Sequence, residues 1–158
     1  MRQKNNNRNR NSNRKRTPKK TSKISDHFSK RDFVCKDSGE FKISLGLVGA
    51  LELLRSKCGN RIQILKGFQS IDSAEKAGKV SRNYHTKGVA ADITIDDMNI
   101  KEAFKIAEGI EEFKGIGLNF EDNYLHVDVR KSPDRKCWVE EGKKEFDITE
   151  DNRSNYLA

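Results

Sequence analysis

The sequence predicts an α+β domain in which helices pack on one face of a small antiparallel sheet. Two segments, 44–57 and 99–113, repeat apolar residues at helical spacing, and two others, 89–95 and 125–130, alternate apolar with polar or ionisable residues. Alternation gives a strand one apolar and one polar face. We therefore expect the helices to cover the apolar faces and to leave the polar face of the sheet open.

The first helix and the first strand are predicted in the N-terminal half. Leucine and valine recur at helical spacing over 44–57, and Gly59 supplies a stop signal just beyond. The run 62–65 is typical of a short strand that ends at Gly67. Residues 69–88 are polar and contain glycine, so we expect a loop there.

The next strand and helix follow this predicted loop. In 89–95 the odd positions are apolar and the even positions include Asp92, which places a carboxylate on the polar face of the strand. Apolar residues then recur at helical spacing over 99–113, and Gly115 closes this second predicted helix.

A further strand is predicted over 125–130, where His126, Asp128 and Arg130 share one face. This pattern parallels that of the strand that carries Asp92. If the two strands pair, Asp92 and His126 lie about 5 Å apart across the ladder. Both side chains then point away from the core.

The pattern weakens beyond Arg130, where we expect a short extension with a loose terminus. The chain is accordingly divided into a basic segment over 1–24, a domain over 25–140 and a polar C-terminal extension over 141–158. The single tryptophan, Trp138, is expected to cap the edge of the core, and stacking on a substrate is the alternative.

Positive charge is concentrated at the N-terminus. Residues 1–24 contain ten Lys or Arg and no Asp or Glu, whereas the whole chain has a net charge of +8, so the rest of the chain is close to neutral. A segment with almost no apolar side chains is expected to be disordered. It would attract nucleic acid or another polyanion without sequence specificity, and a solvated segment that aids solubility is the alternative.

Composition argues against several classes of protein. No apolar stretch reaches the roughly 20 residues that a transmembrane helix needs. The basic start lacks the apolar core of a secretory signal, so we expect synthesis in the cytoplasm without a signal peptide. The three cysteines are odd in number and lack C-x-x-C spacing, which predicts free thiols rather than a disulfide framework or a cysteine zinc site.

Two of the three histidines lie in segments that also carry carboxylates. His85, Asp92 and His126 together offer two imidazoles and a carboxylate, a donor set that zinc accepts while a fourth position stays open for water. On spacing alone, histidines held by structural hydrogen bonds fit the pattern as well. The residues by themselves leave both interpretations open.

Several segments over residues 25–130 resemble a known family. These are the segment from Ser25 to Cys35, the run Ile-Gln-Ile-Leu-Lys-Gly-Phe-Gln-Ser70, the run His85-Thr-Lys-Gly-Val-Ala-Ala-Asp92 and the run Leu-His126-Val-Asp-Val-Arg130. In this order they are similar to the zinc D-Ala-D-Ala carboxypeptidase and L-alanyl-D-glutamate endopeptidase superfamily. That superfamily comprises peptidoglycan peptidases, including phage endolysins, and the hedgehog signalling domain resembles it in fold.

The resemblance implies both a metal and a substrate. His85, Asp92 and His126 would bind Zn²⁺ on the sheet face opposite the helices, and a water activated at the ion would attack the substrate carbonyl. The substrate would be an amide bond in the peptide stem or cross-link of bacterial peptidoglycan. Carboxypeptidase and endopeptidase action both remain open.

The general base is not identified by the resemblance. Relatives often carry a Glu three residues before the last ligand, where this chain has Asn123. Asp128 is the first candidate, because it lies two residues from His126 on the same strand face. A carboxylate that orients a ligand is the alternative role for Asp128. Glu121 and Asp122 are the other candidate bases.

Two positions depart from the family pattern. Gln69 stands where the family usually has Arg, and Asn83 stands where it usually has Ser. An Arg would supply a charge-assisted donor to the substrate carbonyl or carboxylate. Gln69 and Arg130 are therefore the candidate substrate-binding residues, and the other cations that could replace the missing charge are Lys66, Arg82 and Lys87.

Three functions remain in competition. The leading hypothesis is a monomeric zinc peptidase that acts on the cell wall, for which a phage-type lysin resolves the absence of an export signal. Non-classical export or a truncated gene would also account for that absence. The alternatives to catalysis are an inactive module that binds peptidoglycan or zinc, and a polyanion binder that acts through residues 1–24.

Overall fold

The structure is a computed structural model that describes residues 22–80 and 83–158. Its centre is a six-stranded sheet of order β1-β2-β4-β3-β5-β6. All neighbouring strands are antiparallel except β3 and β5, which are parallel. The strands are β1 Ile62–Lys66, β2 Ala90–Ile95, β3 Gly115–Asn119, β4 Tyr124–Asp128, β5 Lys136–Glu141 and β6 Lys144–Asp147.

Helices and sheet enclose one apolar core, which confirms the predicted α+β class. The helices are α1 Lys30–Phe33, α2 Leu45–Cys58, α3 Ile71–Lys76, α4 Ile100–Glu108 and α5 Arg153–Leu157. Helix α4 contacts α2 and the three central strands β2, β3 and β4. The fully buried side chains at this interface include Leu51, Leu54, Ile93, Phe104, Ile116 and Val127.

The observed ends of α2 agree with the sequence signals. Ser44 is the N-cap, and its hydroxyl accepts a hydrogen bond from the Gly46 amide at 3.2 Å. Gly59 ends the helix with a φ of 72°, in the left-handed region that favours glycine. The predicted strand over 62–65 is also present, as β1.

Helix α4 is shorter than predicted. It ends at Glu108, so the expected extension to residue 113 is wrong. Ile110 and Phe113 are nevertheless buried, which explains why the apolar spacing continues past the helix. Arg135 donates hydrogen bonds to the carbonyls of Glu108, Ile110 and Phe113, and these bonds satisfy the backbone of the turns that replace the last helical residues.

The segment predicted as a loop over 69–88 contains helix α3. This six-residue helix begins after Ser70, whose hydroxyl accepts a hydrogen bond from the Ser73 amide at 3.2 Å. A helix this short has too few apolar positions to show a clear period, so the sequence does not reveal it.

The chain beyond Arg130 extends the sheet, so the expected loose terminus is wrong. Strand β5 joins the edge of β3 and spans the predicted boundary at residue 140, and the extension over 141–158 contains β6 and α5. Leu157 of α5 is buried in the core. Arg153 and Glu108 form an ion pair that joins α5 to the end of α4.

Some expectations concern residues that the structure does not describe. The basic segment 1–24 lies outside the described residues except for its last three positions, so its disorder stays a prediction. Within the described ranges, no helix is long and apolar enough to cross a membrane. Cys35, Cys58 and Cys137 are all free, as the cysteine count predicts.

The two leucines Leu51 and Leu53 provide a test of the core. Leu51 is fully buried, whereas Leu53, on the same helix, is 44% exposed. We expect Leu51→Ala to lower the free energy of unfolding by about 3 kcal/mol, because it leaves a cavity among packed side chains. Leu53→Ala should change it by about 0.5 kcal/mol or less. Denaturant unfolding measures both values, and equal losses would contradict this position of the core.

Candidate metal centre

The sheet register aligns four residues across its polar face. Asp92 on β2 pairs with His126 on β4, His126 pairs with Gly117 on β3, and Gly117 pairs with Trp138 on β5. His126 Nδ1 lies 2.9 Å from Asp92 Oδ1. The predicted pairing of the two strands and the meeting of Asp92 with His126 are therefore present in the structure.

Gly117 makes room for the indole ring of Trp138. A Cβ at this position would lie 2.5 Å from the indole, closer than packed atoms approach. The indole can therefore lie over β3, with its ring centroid 5.3 Å from that of His126. Trp138 is buried beside His126 and lines a cavity on this face of the sheet.

His85 reaches the same point from the turn that follows α3. Its Nε2 lies 3.2 Å from Asp92 Oδ1. Its Nδ1 lies 2.9 Å from the carbonyl oxygen of Gly67. A carbonyl only accepts, so Nδ1 is the donor to Gly67, and this bond orients the ring with Nε2 towards Asp92.

The ion pair between Asp128 and Arg130 orients the His126 ring. Its Nε2 lies 2.9 Å from Asp128 Oδ2, and Asp128 is fully buried. The Arg130 side chain donates to both oxygens of Asp128, at 2.8 and 2.6 Å. At Gly115 a Cβ would lie 2.1 Å from Asp128 Oδ2, so only glycine leaves space for this ion pair. The Nδ1 of His126 is thereby directed at Asp92.

The charged groups around His126 shift the pKa of two buried acids and of His126 itself. Burial alone would raise the pKa of Asp92, but hydrogen bonds from His126 and His85 hold it far below its usual range. Burial opposes ionisation of Asp128 as well, and hydrogen bonds from Arg130 and His126 lower its pKa strongly. Burial would lower the pKa of His126, but hydrogen bonds to Asp128 and Asp92 raise it to about 9.

His85, Asp92 and His126 form a group that could hold a metal ion. One nitrogen or oxygen of each residue lies within 4.8 Å of the others, and all three residues are buried. Ligands at about 2.1 Å from a tetrahedral zinc ion lie about 3.4 Å apart. The distances of 3.2 and 2.9 Å from the two imidazoles to Asp92 Oδ1 are close to that spacing.

A cavity of about 340 Å³ opens over this cluster. Lys66 stands beside it, with Nζ 3.7 Å from Asp92 Oδ2 and a side chain that is 42% exposed. Cationic, aromatic and acidic side chains line this cavity. In addition to the three residues of the cluster, the residues that line the cavity include Lys66, Gln69, Tyr84, Tyr124, Arg130, Trp138, Glu140 and Glu145.

The candidate substrate and base residues have different positions. Gln69 and Arg130 line the cavity, although the charge of Arg130 is already paired with Asp128. Glu121 is exposed in the turn between β3 and β4 and is not among the cavity residues. Both oxygens of Asp128 accept from Arg130, and one also contacts His126, which favours the orienting role over that of a base.

The remaining candidate base, Asp122, and the candidate cation Lys87 do not line the cavity. Asp122 and Asn123 are exposed, and Asn123 has a φ of 52°. Lys87 is exposed, with Nζ 5.1 Å above the Tyr84 ring, and Arg82 lies outside the described residues.

Sequence reasoning missed Tyr124 and Glu140. The Tyr124 hydroxyl donates to Glu140 Oε2 at 2.7 Å, and burial together with this hydrogen bond raises the pKa of the phenol. The signal that could have found Glu140 is the alternation of Trp138 and Glu140 along β5. This alternation is too short to separate a strand from an irregular extension.

Comparison with known proteins identifies the family. The sequence profile of peptidase M15 matches residues 19–128, which include all three residues of the cluster. The chain belongs to the M15 peptidase family. This membership confirms the resemblance found in the sequence motifs. M15 peptidases are metallopeptidases.

The M15 chain is also similar to curated proteins. Peptidoglycan L,D-endopeptidase MepK of Escherichia coli K12 is 31% identical over 116 residues, which cover 67% of this chain and 63% of that protein. The same protein of Escherichia coli O157:H7 and that of Shigella flexneri match with the same identity and coverage. The chain thus spans less than two thirds of the length of these relatives.

The charge network predicts the titration of His126 in the metal-free protein. We expect its imidazole to titrate with a pKa of about 9. This value exceeds the unfolded value of about 6.5, so the bound proton stabilises the fold below about pH 6.5 and this contribution is lost as the pH rises towards 9. NMR of the imidazole protons measures the pKa after chelation.

Asp128→Asn is the matched variant for this titration. It removes the charge that His126 Nε2 faces, so the pKa of His126 should fall. A wild-type pKa of His126 at or below the unfolded value, or one unchanged in Asp128→Asn, would contradict the assigned effect of Asp128 on His126.

Proposed function

We propose that the protein is a zinc-dependent peptidase that hydrolyses an amide bond in the peptide part of bacterial peptidoglycan and acts at the cell wall. The observation that carries this proposal is the meeting of His85, Asp92 and His126 at a cavity in an M15 chain. The peptidoglycan substrate is supported by the similarity to MepK, whose name states that substrate.

The environment of the two histidines supports zinc as the metal. Zinc-binding imidazoles usually donate their second nitrogen to a carbonyl or carboxylate, which fixes the tautomer and the ring. His85 has such a partner in the Gly67 carbonyl, and His126 has one in Asp128. Two oriented imidazoles and one carboxylate are a donor set of catalytic zinc sites, which keep a further position for water.

Each group at the site has a separate role in the proposed reaction. Zinc bound by His85, Asp92 and His126 would act as a Lewis acid that polarises the scissile carbonyl and lowers the pKa of a bound water. Asp128 and Arg130 keep His126 oriented, so Arg130 acts as a positioning residue. Lys66, which is partly exposed beside the cluster, supplies the positive charge for a substrate carbonyl or carboxylate that Gln69 lacks.

The similarity to an L,D-endopeptidase favours endopeptidase over carboxypeptidase action. A non-catalytic peptidoglycan-binding module is the second candidate, favoured by the neutral Gln69 at a position where a cation would bind the substrate. The two candidates differ in one observable property, which is the appearance of cleavage products.

Cleavage of purified sacculi tests the proposed function. We expect the zinc-loaded protein to release new amine termini and to give muropeptide fragments whose masses identify the bond. A chelator should abolish the release, and added zinc should restore it. His126→Ala should reduce the rate at least about 100-fold, because it removes a ligand and leaves Asp92 and Asp128 without their shared partner.

His27→Ala is the matched control, because His27 bonds to Glu52 and is not part of the cluster. This variant should keep the wild-type rate. Cleavage that resists the chelator, or that survives in His126→Ala, would contradict zinc catalysis. Binding to sacculi without products would favour the non-catalytic module.

A further inference from the structure

The proposed function leaves one carboxylate of the cavity without a role. Among residues 22–80 and 83–158, the carboxylates that line the cavity are those of Asp92, Glu140 and Glu145. Asp92 belongs to the ligand cluster, and Glu145 is paired with Lys136 at 2.8 Å. Glu140 accepts hydrogen bonds from neutral donors, and none of these partners forms an ion pair with it.

We propose that Glu140 is the group that transfers the proton during amide hydrolysis. This assignment rests on the proposed peptidase function and adds a catalytic residue to it. The family profile ends at residue 128, so Glu140 lies in the part of the chain beyond the match.

The position of Glu140 follows from the sheet. Glu140 lies two residues after Trp138 on β5, so both side chains share the face that carries the metal centre. Its backbone pairs with Asn119 on β3. Trp138 in turn lies against His126, so the carboxylate is one side chain removed from the cluster.

Neutral donors fix both oxygens of the carboxylate. Tyr124 Oη donates to Oε2 at 2.7 Å, and Asn119 Nδ2 donates to the same oxygen at 3.2 Å. Trp138 Nε1 lies 3.4 Å from Oε1. Oε1 carries the longer contact, so it is the oxygen better able to exchange a proton with a water or a substrate in the cavity.

The other acidic groups are less suited to this step. Asp128 is fully buried and its oxygens are occupied by Arg130 and His126. Glu121 and Asp122 are exposed and do not line the cavity. A proton-transfer group must lie within hydrogen-bond reach of the reacting atoms, directly or through one water.

Hydrolysis with Glu140 as the proton-transfer group needs water and no other co-reactant. Glu140 accepts a proton from the attacking water while the water oxygen forms a bond to the carbonyl carbon. When the carbon–nitrogen bond breaks, Glu140 returns that proton to the leaving nitrogen. The products are a carboxylic acid and an amine, and Glu140 is again a carboxylate.

Glu140→Gln tests this assignment, with Glu141→Gln as the matched control. Glu141 is the next residue on β5, is exposed, and does not line the cavity. We expect Glu140→Gln to lower kcat for muropeptide cleavage at least about 100-fold. Its zinc content and its binding to sacculi should stay at wild-type values, because Glu140 is outside the candidate metal group and the amide keeps the shape of the side chain. Glu141→Gln should match the wild type in every measurement.

Glu145→Gln separates proton transfer from the general negative charge of the cavity. A loss of kcat in Glu140→Gln alone supports the proposal. A kcat within about threefold of wild type in Glu140→Gln, an equal loss in Glu145→Gln, or a loss of bound zinc together with activity would each overturn it. A wild-type protein that binds zinc but cleaves no muropeptide would refute the proposed function itself, and the role of Glu140 with it.

Discussion

The structure depends on keeping the charged carboxylate of Asp92 buried between two imidazoles. A buried charge is costly unless partners of opposite sign and hydrogen bonds compensate it. In the metal-free protein, Arg130, Asp128, His126 and Asp92 form a row of alternating charge across the polar face of the sheet, with His85 and Lys66 at its end. Removal of His126 leaves both Asp92 and Asp128 buried with one partner fewer.

The backbone around this row is arranged to give it space. Gly115 and Gly117 on β3 leave room for the Asp128–Arg130 pair and for the Trp138 indole, respectively. On the opposite face, Ile116 and Leu118 alternate with these glycines and pack into the core. One strand thereby supports the core with two of its side chains and makes room for the charged groups at the glycines between them.

The sequence predicted the elements whose residues show a regular period. The alternation around Asp92 and His126 determined which face each side chain occupies, and this was sufficient to anticipate their contact. The end of α4 could not be predicted, because the carbonyls beyond it are satisfied by Arg135, far along the chain. Strand β5 was missed because its local alternation is short and its parallel pairing with β3 is long-range. The place of Glu140 in the cavity was missed for the same reason.

The proposed function requires one metal ion bound between the two imidazoles and Asp92. Crystals grown with equimolar zinc and measured by anomalous diffraction at the zinc edge test this requirement. We expect a single peak within about 2.2 Å of His85 Nε2, an Asp92 oxygen and His126 Nδ1, with His126 Nε2 still on Asp128. A peak elsewhere, or no peak at these three side chains, would contradict it.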